Sequence, residues 1–292
     1  MAKEMIVYQA NPLIEGRRDF SLIEMRLFYI GLKGIVPKLT AKDVAWRSGV
    51  MRDFPTVLIK PKELIELFGN DKYYHTLRDI CRDFAKKTIE IKNANDDEYS
   101  IYPVFAELNY KNGQGLRLEF NPKMIPWLLD LADKPFTKLP FEQIWALRSS
   151  YAIRLLELLL QYQNTKTHER TLTIEELRQC LGVPDDAYRD KMVNFKNRVL
   201  DSSIRDINEK TSYKVEYENV KEGRKIVAFK FKLYLPEELK KLERERKIKS
   251  IGEMAETTAS QHSMASDSGK RELSAKSKES LDRLKKSLSV SR

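Results

Sequence analysis

The sequence predicts an α+β chain of two tandem winged-helix units, each a helix-turn-helix with a β-hairpin, followed by a disordered Ser/Lys-rich C-terminal tail. Three observations predict it. A long apolar helix, a short helix, a second longer helix and a hairpin can be read in that order twice along the 292 residues. Both copies carry a Glu-Leu-x-x-(Leu/Cys)-(Phe/Leu)-Gly frame, Glu63 to Gly69 and Glu176 to Gly182, ending in the residue that most easily takes a left-handed helix end. Beyond residue 250 the composition changes: 11 of 43 positions are serine and none is Phe, Tyr or Trp, too little apolar area to offset the entropy of ordering.

The first domain is expected over residues 1–130, with 1–18 as a lead-in. Its opening helix is Phe20 to Ile30, and the short helix is Lys62 to Gly69. The longer helix runs from about Tyr73 to Lys87, with Leu77, Ile80, Cys81 and Phe84 on one face. Strands follow at Thr88–Lys92, Tyr99–Tyr110 and Leu116–Phe120, the last two joined by a tight turn at Asn112-Gly113. Leu131 to Pro135 reads as a linker. The second domain is expected over 136–240. It opens with Tyr151 to Leu160, and Thr173 stands three residues before Glu176, the spacing of a capping box. Its longer helix, Arg189 to Asn208, is followed by strands Tyr213–Tyr217 and Lys225–Leu233 across the turn Lys221-Glu222-Gly223-Arg224. In the tail, 250–292, Leu273, Leu281, Leu284 and Leu288 are spaced to fold as a helix on a partner.

Charge narrows the function. Lys plus Arg number 53 against 43 Asp plus Glu, a net charge of +10, which favours a polyanionic partner, nucleic acid or an anionic membrane. The longest apolar runs, such as Leu155 to Leu160, fall far short of the ~18 residues of a membrane span. The N-terminus has no apolar signal core, and two cysteines make no disulfide framework, so a soluble cytoplasmic protein is expected. His75, His168 and His262 are isolated, no glycine-rich phosphate loop is present, and the acidic Asn95 to Glu98 reads as a solvated turn. No enzyme activity, cofactor or metal is expected.

The candidate site is a DNA-reading surface. In a helix-turn-helix the second helix enters the major groove. With Phe195, Val199 and Ile207 inward, the opposite stripe holds Lys191, Asn194, Asn197 with Arg198, Asp201 and Arg205. Arg189, Lys191, Lys196 and Arg198 crowd the first half of that helix, where cations oppose the macrodipole, a cost that a phosphate and base surface explains. Asn pairs bidentately with adenine, and Arg or Lys with guanine. Lys221, Arg224 and Lys225 cluster at the hairpin tip, where they would add affinity without sequence choice. Arg78 and Arg82 on the first domain's second helix, among Asp71, Asp79 and Asp83, suit backbone contact more than base reading. Tyr102, Phe105 and Tyr110 are expected to pack in the sheet rather than stack on bases, and the long strand Tyr99–Tyr110 offers an edge for a second copy.

Over about residues 5–236 the chain resembles the initiator replication proteins of iteron-containing, theta-replicating bacterial plasmids. The likeness rests on Phe20-Ser21-Leu22-Ile23-Glu24-Met25-Arg26-Leu27-Phe28, Phe136-Thr137-Lys138-Leu139-Pro140 and Tyr151 to Leu159. It continues in Phe195-Lys196-Asn197-Arg198-Val199-Leu200, Ile204 to Thr211 and the Gly223-Arg224-Lys225 hairpin. The resemblance implies a C-terminal domain that reads direct repeats at a plasmid origin and an N-terminal domain that adds DNA contacts and dimerises. It also implies origin opening, autoregulation and copy control, with the host initiator protein and replicative helicase as partners. Family members often carry a more arginine-rich run where this chain has Asn197, which suggests an A·T-leaning step in its repeat. A dimeric winged-helix transcriptional repressor, a rolling-circle nicking enzyme and a non-DNA scaffold are the alternatives. The first would bind a palindrome, the second needs metal-binding histidines beside a tyrosine, and the third leaves the basic helix unexplained.

Overall fold

The computed structural model describes residues 4–35, 56–70, 72–92, 98–132, 134–188, 192–248 and 280. Contacts divide the chain into Met1–Tyr234 and Leu235–Arg292. In the second unit residues 236–248 are helical, and the expected tail, apart from residue 280, lies outside the described residues.

The first unit begins with β1 (Ile6–Ala10), α1 (Asn11–Glu15) and α2 (Leu22–Lys33). Ser21 caps α2 in a capping box: Glu24 N donates to Ser21 Oγ at 3.4 Å, and Ser21 N to Glu24 Oε2 at 2.7 Å. Next come β2 (Val57–Ile59), α3 (Pro61–Phe68) and α4 (Tyr74–Phe84). The strands β3 (Thr88–Lys92), β4 (Tyr99–Pro103), β5 (Phe105–Lys111) and β6 (Gly115–Phe120) follow. After a short 3-10 turn come α5 (Ile125–Leu128), β7 (Phe136–Pro140), α6 (Phe141–Ala146) and α7 (Ser150–Leu160). The last elements are β8 (Glu169–Thr173), α8 (Ile174–Leu181), α9 (Met192–Phe195), a π turn (Lys196–Asp201), α10 (Ser202–Lys210), β9 (Lys214–Glu222) and β10 (Lys225–Tyr234).

Two antiparallel sheets have the same topology. Their orders, β2-β6-β5 and β8-β10-β9, each put a short strand before the helix-turn-helix against the second strand of the hairpin. Helix, strand, two helices, two strands is the winged-helix plan, so the duplication read from the sequence is present in the backbone. The first copy inserts an extra ribbon, β3-β4, between its second helix and its hairpin. One core is an aromatic chain, Phe20–Phe84–Phe105–Phe120, with ring centroids 4.8–5.1 Å apart. The other packs Phe195, Phe229 and Phe231 with Val199 and Ile207, all buried.

Both expected helix ends form: Gly69 and Gly182 take φ 74 and φ 68. They differ in their surroundings, because a Cβ at Gly69 would meet open space and one at Gly182 would stand 2.1 Å from Arg18 O. The second glycine is therefore also a close-approach point for the N-terminal segment.

Four readings of the sequence are corrected. Tyr99–Tyr110 is not one strand: Pro103, with no N–H to donate, ends β4, and β5 joins a different sheet. The hairpin's first strand, read as Tyr213–Tyr217, runs on to Glu222, and the strands β2 and β8 were not expected. Residues 1–18 are not a lead-in: β1 pairs with β7 from Ile6↔Pro140 to Ala10↔Phe136, and Ala10, Leu13, Ile14 and Arg18 are buried. In the stretch read as a linker, Leu131 is buried and Pro135 O accepts from Asn11 N at 2.9 Å.

A charged cluster holds this junction. Glu157 on α7, wholly buried, accepts from Arg18 Nη2, from Arg154 Nη1 at 2.5 Å, from Tyr29 Oη at 2.5 Å and from Gln9 Nε2 at 3.3 Å. Arg154 also donates to Ile14 O, Gly16 O and Cys180 O at 2.6–2.9 Å. Burial alone would raise the Glu157 pKa, but Arg18, Arg154 and the Tyr29 hydroxyl outweigh it and hold the carboxyl below its ordinary value. A depressed acid pKa stabilises the fold fully above the unfolded value of 4.5, and that contribution is lost as pH falls through the lower folded value. Urea unfolding of wild type should therefore weaken below about pH 4.5. Glu157→Gln, which strands two buried guanidiniums, should lose about 3–5 kcal/mol at neutral pH, read as a lower midpoint at unchanged m-value.

Candidate nucleic-acid interface

The surface predicted to meet DNA is carried by the helix that joins α9, the π turn and α10. Leu200 and Ile204 are buried beside a series in which Phe195, Val199, Ser203 and Ile207, also buried, lie four apart. At about 100° per residue an α-helix would carry the last about 120° round from the first. Absorbing one residue in the π turn leaves a drift of about 20°, so one face stays on the core. The C-terminal end of the helix is tied down twice. Asp206 Oδ2 accepts from Arg148 N at 2.7 Å and Ser149 N at 3.2 Å at the start of α7, and Asn208 exchanges hydrogen bonds with the Val215 backbone at 2.7 and 3.0 Å.

The outward row contains Asn197, Arg198 and Arg205, all exposed, with Asn194 half-buried beside them. Arg198 and Arg205 make no ion pair among the described residues. Arg189 and Lys191, expected at the start of the row, lie outside the described residues. Two residues of the expected set sit differently. Lys196 turns toward the hairpin, its ammonium 5.4 Å from the Tyr217 ring centre. Asp201, placed by helical spacing on the outward stripe, accepts from Tyr217 Oη at 2.7 Å. Burial first, and then Asp201, keep that phenol protonated far above its usual range. The interaction draws toward the hairpin a carboxylate that would otherwise repel phosphate.

At the hairpin tip Gly223 (φ 60) and Arg224 make a two-residue turn between Glu222 and Lys225. Lys221, Arg224 and Lys225 are exposed and carry no ion pair among the described residues. The first domain's second helix contrasts with this. Arg78 and Arg82 are exposed on α4, but Arg82 pairs with Asp79 at 3.2 Å, and Lys86 with Asp83 at 3.1 Å.

Sequence reasoning missed Arg178. From α8 its Nη2 donates to Pro184 O at 2.9 Å and Ala187 O at 2.7 Å, in the turn of the helix-turn-helix, and its guanidinium lies 5.7 Å from the Phe195 ring centre. That brace holds a segment in which Tyr188 takes φ 59, a conformation bulky residues rarely adopt. Arg17 reaches the same turn through Asp185, at 3.0 Å. In the sequence Arg178 is one more charged residue on an amphipathic helix, and only the fold of the turn reveals its partners.

No group of three or more His, Cys, Asp or Glu among the described residues could hold a metal ion, and no helix among them is long and apolar enough to cross a membrane. Fold and surface together define a tandem winged-helix protein whose second copy presents a row of amides and unpaired cations. The chain matches the family described as "Initiator Replication protein, WH1" over residues 6–160 and "Initiator Rep protein, WH2" over residues 173–233. It belongs to the initiator replication protein family. Among solved structures it is similar to the Pi initiator protein, crystallised in complex with iteron DNA, at 20% identity and a TM-score of 0.62. That match covers 80% of this chain and 99% of the other.

Replacing Arg178 with Met should remove the brace, lower stability by about 1.5–3 kcal/mol and weaken binding of specific DNA. Arg178→Lys should not restore either, because a single ammonium does not reproduce the guanidinium fork. Urea unfolding and a gel-shift titration check both.

Proposed function

We propose that this initiator binds direct repeats at a plasmid origin, one copy per repeat, with the helix 192–210 in the major groove and the β9-β10 tip on the flanking phosphates. The observation that carries it is the outward row of Asn194, Asn197, Arg198 and Arg205 beside Lys221, Arg224 and Lys225, whose cations make no ion pair among the described residues. Arg189 and Lys191 belong to the same surface in this reading. Bound copies bend the duplex and strain a neighbouring A·T-rich segment, where unstacking is cheap. No covalent chemistry is required. The similarity to a protein crystallised with iteron DNA supports the same ligand.

The pairing of Arg82 with Asp79 supports a division into a reading domain and an accessory domain, in which Arg78 and Arg82 add backbone contacts and the first domain pairs with a second copy. The exposed outer face of β4, with Tyr99 and Ile101 65% and 53% exposed, supports that pairing. The plasmid-initiator resemblance supports a cytoplasmic role with autoregulation and copy control, and the host initiator protein and replicative helicase as partners.

A gel-shift titration against the DNA flanking the gene, with random competitor, tests the reading. A ladder of discrete complexes, one per direct repeat, is expected; a single complex on an inverted repeat would replace it with a repressor. Asn197→Ala should relax readout at one base step at about 1–3 kcal/mol. Lys221→Ala should weaken specific and random DNA alike and flatten the salt slope by about one phosphate contact. Equal effects of the two variants on both kinds of DNA would overturn the assigned roles.

A further inference from the structure

Val193 is the most exposed large apolar side chain among the described residues, at 66%. It stands in α9 immediately before Asn194 and four positions before Asn197, in the part of the helix that points away from the core residue Phe195. Two physical arguments make it conspicuous there. A β-branched residue loses side-chain freedom in a helix, and here no burial offsets the loss. Its described neighbours on the C-terminal side also argue against an apolar protein-docking patch: Asn194, Lys196, Asn197 and Arg198 are polar or charged, and the apolar Met192 before it is half-buried. What is left is one branched methyl group pair set among hydrogen-bonding side chains.

The major-groove edge of DNA has a matching feature. Amides and guanidiniums find donors and acceptors on every base pair, but the only apolar group is the methyl at C5 of thymine. We propose that Val193 packs against the C5-methyl group of a thymine in each repeat and is a specificity-determining residue of the interface. This rests on the proposed docking of the helix in the major groove. Removing the methyl from the base, as uracil does, changes no hydrogen bond, so the contact can be isolated chemically. 5-Methylcytosine carries the same group, and it is separated from thymine in the test.

The full chain is titrated by gel shift on a repeat-bearing fragment in which each thymine of one repeat is replaced by uracil in turn. One position is expected to lose roughly four-fold in affinity, the partition value of one methyl group. Val193→Ala should weaken binding to the thymine fragment by a similar factor and show no further loss with uracil at that position. Because Val193 is exposed, the variant should unfold at the wild-type urea concentration. If no uracil weakens binding, or if the uracil and Val193→Ala losses multiply at every position, the contact does not exist. Binding that responds to cytosine methylation but not to uracil also overturns the thymine assignment. A chain that prefers no repeat over random DNA overturns the proposed function and this inference with it, an outcome distinct from specific binding that ignores the methyl.

Discussion

Arg18, from the segment between α1 and α2, and Arg154, from α7, converge on the single carboxylate of Glu157, and all three side chains are buried. Each charge alone would be unfavourable in that interior, because the loss of hydration exceeds what one imperfect partner returns. Together they are tolerable only while every member is in place. The surplus positive charge is met by backbone: Arg154 spends its remaining donors on the carbonyls of Ile14, Gly16 and Cys180. Three parts of the chain, the α1 segment, α7 and the end of α8, are thereby fixed to one point. Gly182 completes the arrangement by letting the backbone of Arg18 approach more closely than a side chain would allow.

That point lies at the base of the second helix-turn-helix, so the constraint propagates outward. α8 leaves the cluster at Cys180 and supplies Arg178, which holds the carbonyls of the following turn and faces Phe195 of the next helix. Arg17, next to Arg18 in the chain, grips the same turn at Asp185. The presentation of the outward row is thus set by side chains that are not part of it. The π turn serves the same end from within the helix, since it keeps Phe195, Val199, Ser203 and Ile207 on the core while Asn197, Arg198 and Arg205 stay exposed.

Much of this was legible in the sequence, for identifiable reasons. Periodicity located the helices that bury one face, and glycine at Gly69 and Gly182 marked their ends because few other residues take positive φ. The capping box at Thr173 and Glu176 follows from side-chain reach over three residues and was found as expected. Failures came where partners are distant in sequence. A three-residue strand such as β2 has no period to detect, and the pairing of β1 with β7 spans more than a hundred residues. Asp201 was misplaced on the outward face because its position depends on a tyrosine in another element and on a π turn that no residue type announces.

The two copies of the fold also treat charge differently, and the difference bears on how they can use DNA. On α4 and just past its end, two cations are matched by carboxylates one turn away, Arg82 by Asp79 and Lys86 by Asp83, while Arg78 makes no ion pair among the described residues. Such exposed pairs are worth little, yet a phosphate approaching them meets the carboxylate as well as the cation. On the second copy's helix Asp201 is occupied by Tyr217, and Arg198 and Arg205 remain unpaired among the described residues. Affinity gained by releasing counterions from DNA scales with the number of phosphates neutralised, and a cation already paired with a carboxylate contributes less to it. On both copies the helix-turn-helix plan is the same, and what differs is which of its exposed cations a carboxylate already holds. In the proposed reading, an accessory surface and a reading surface differ in where their carboxylates point, with the fold left unchanged.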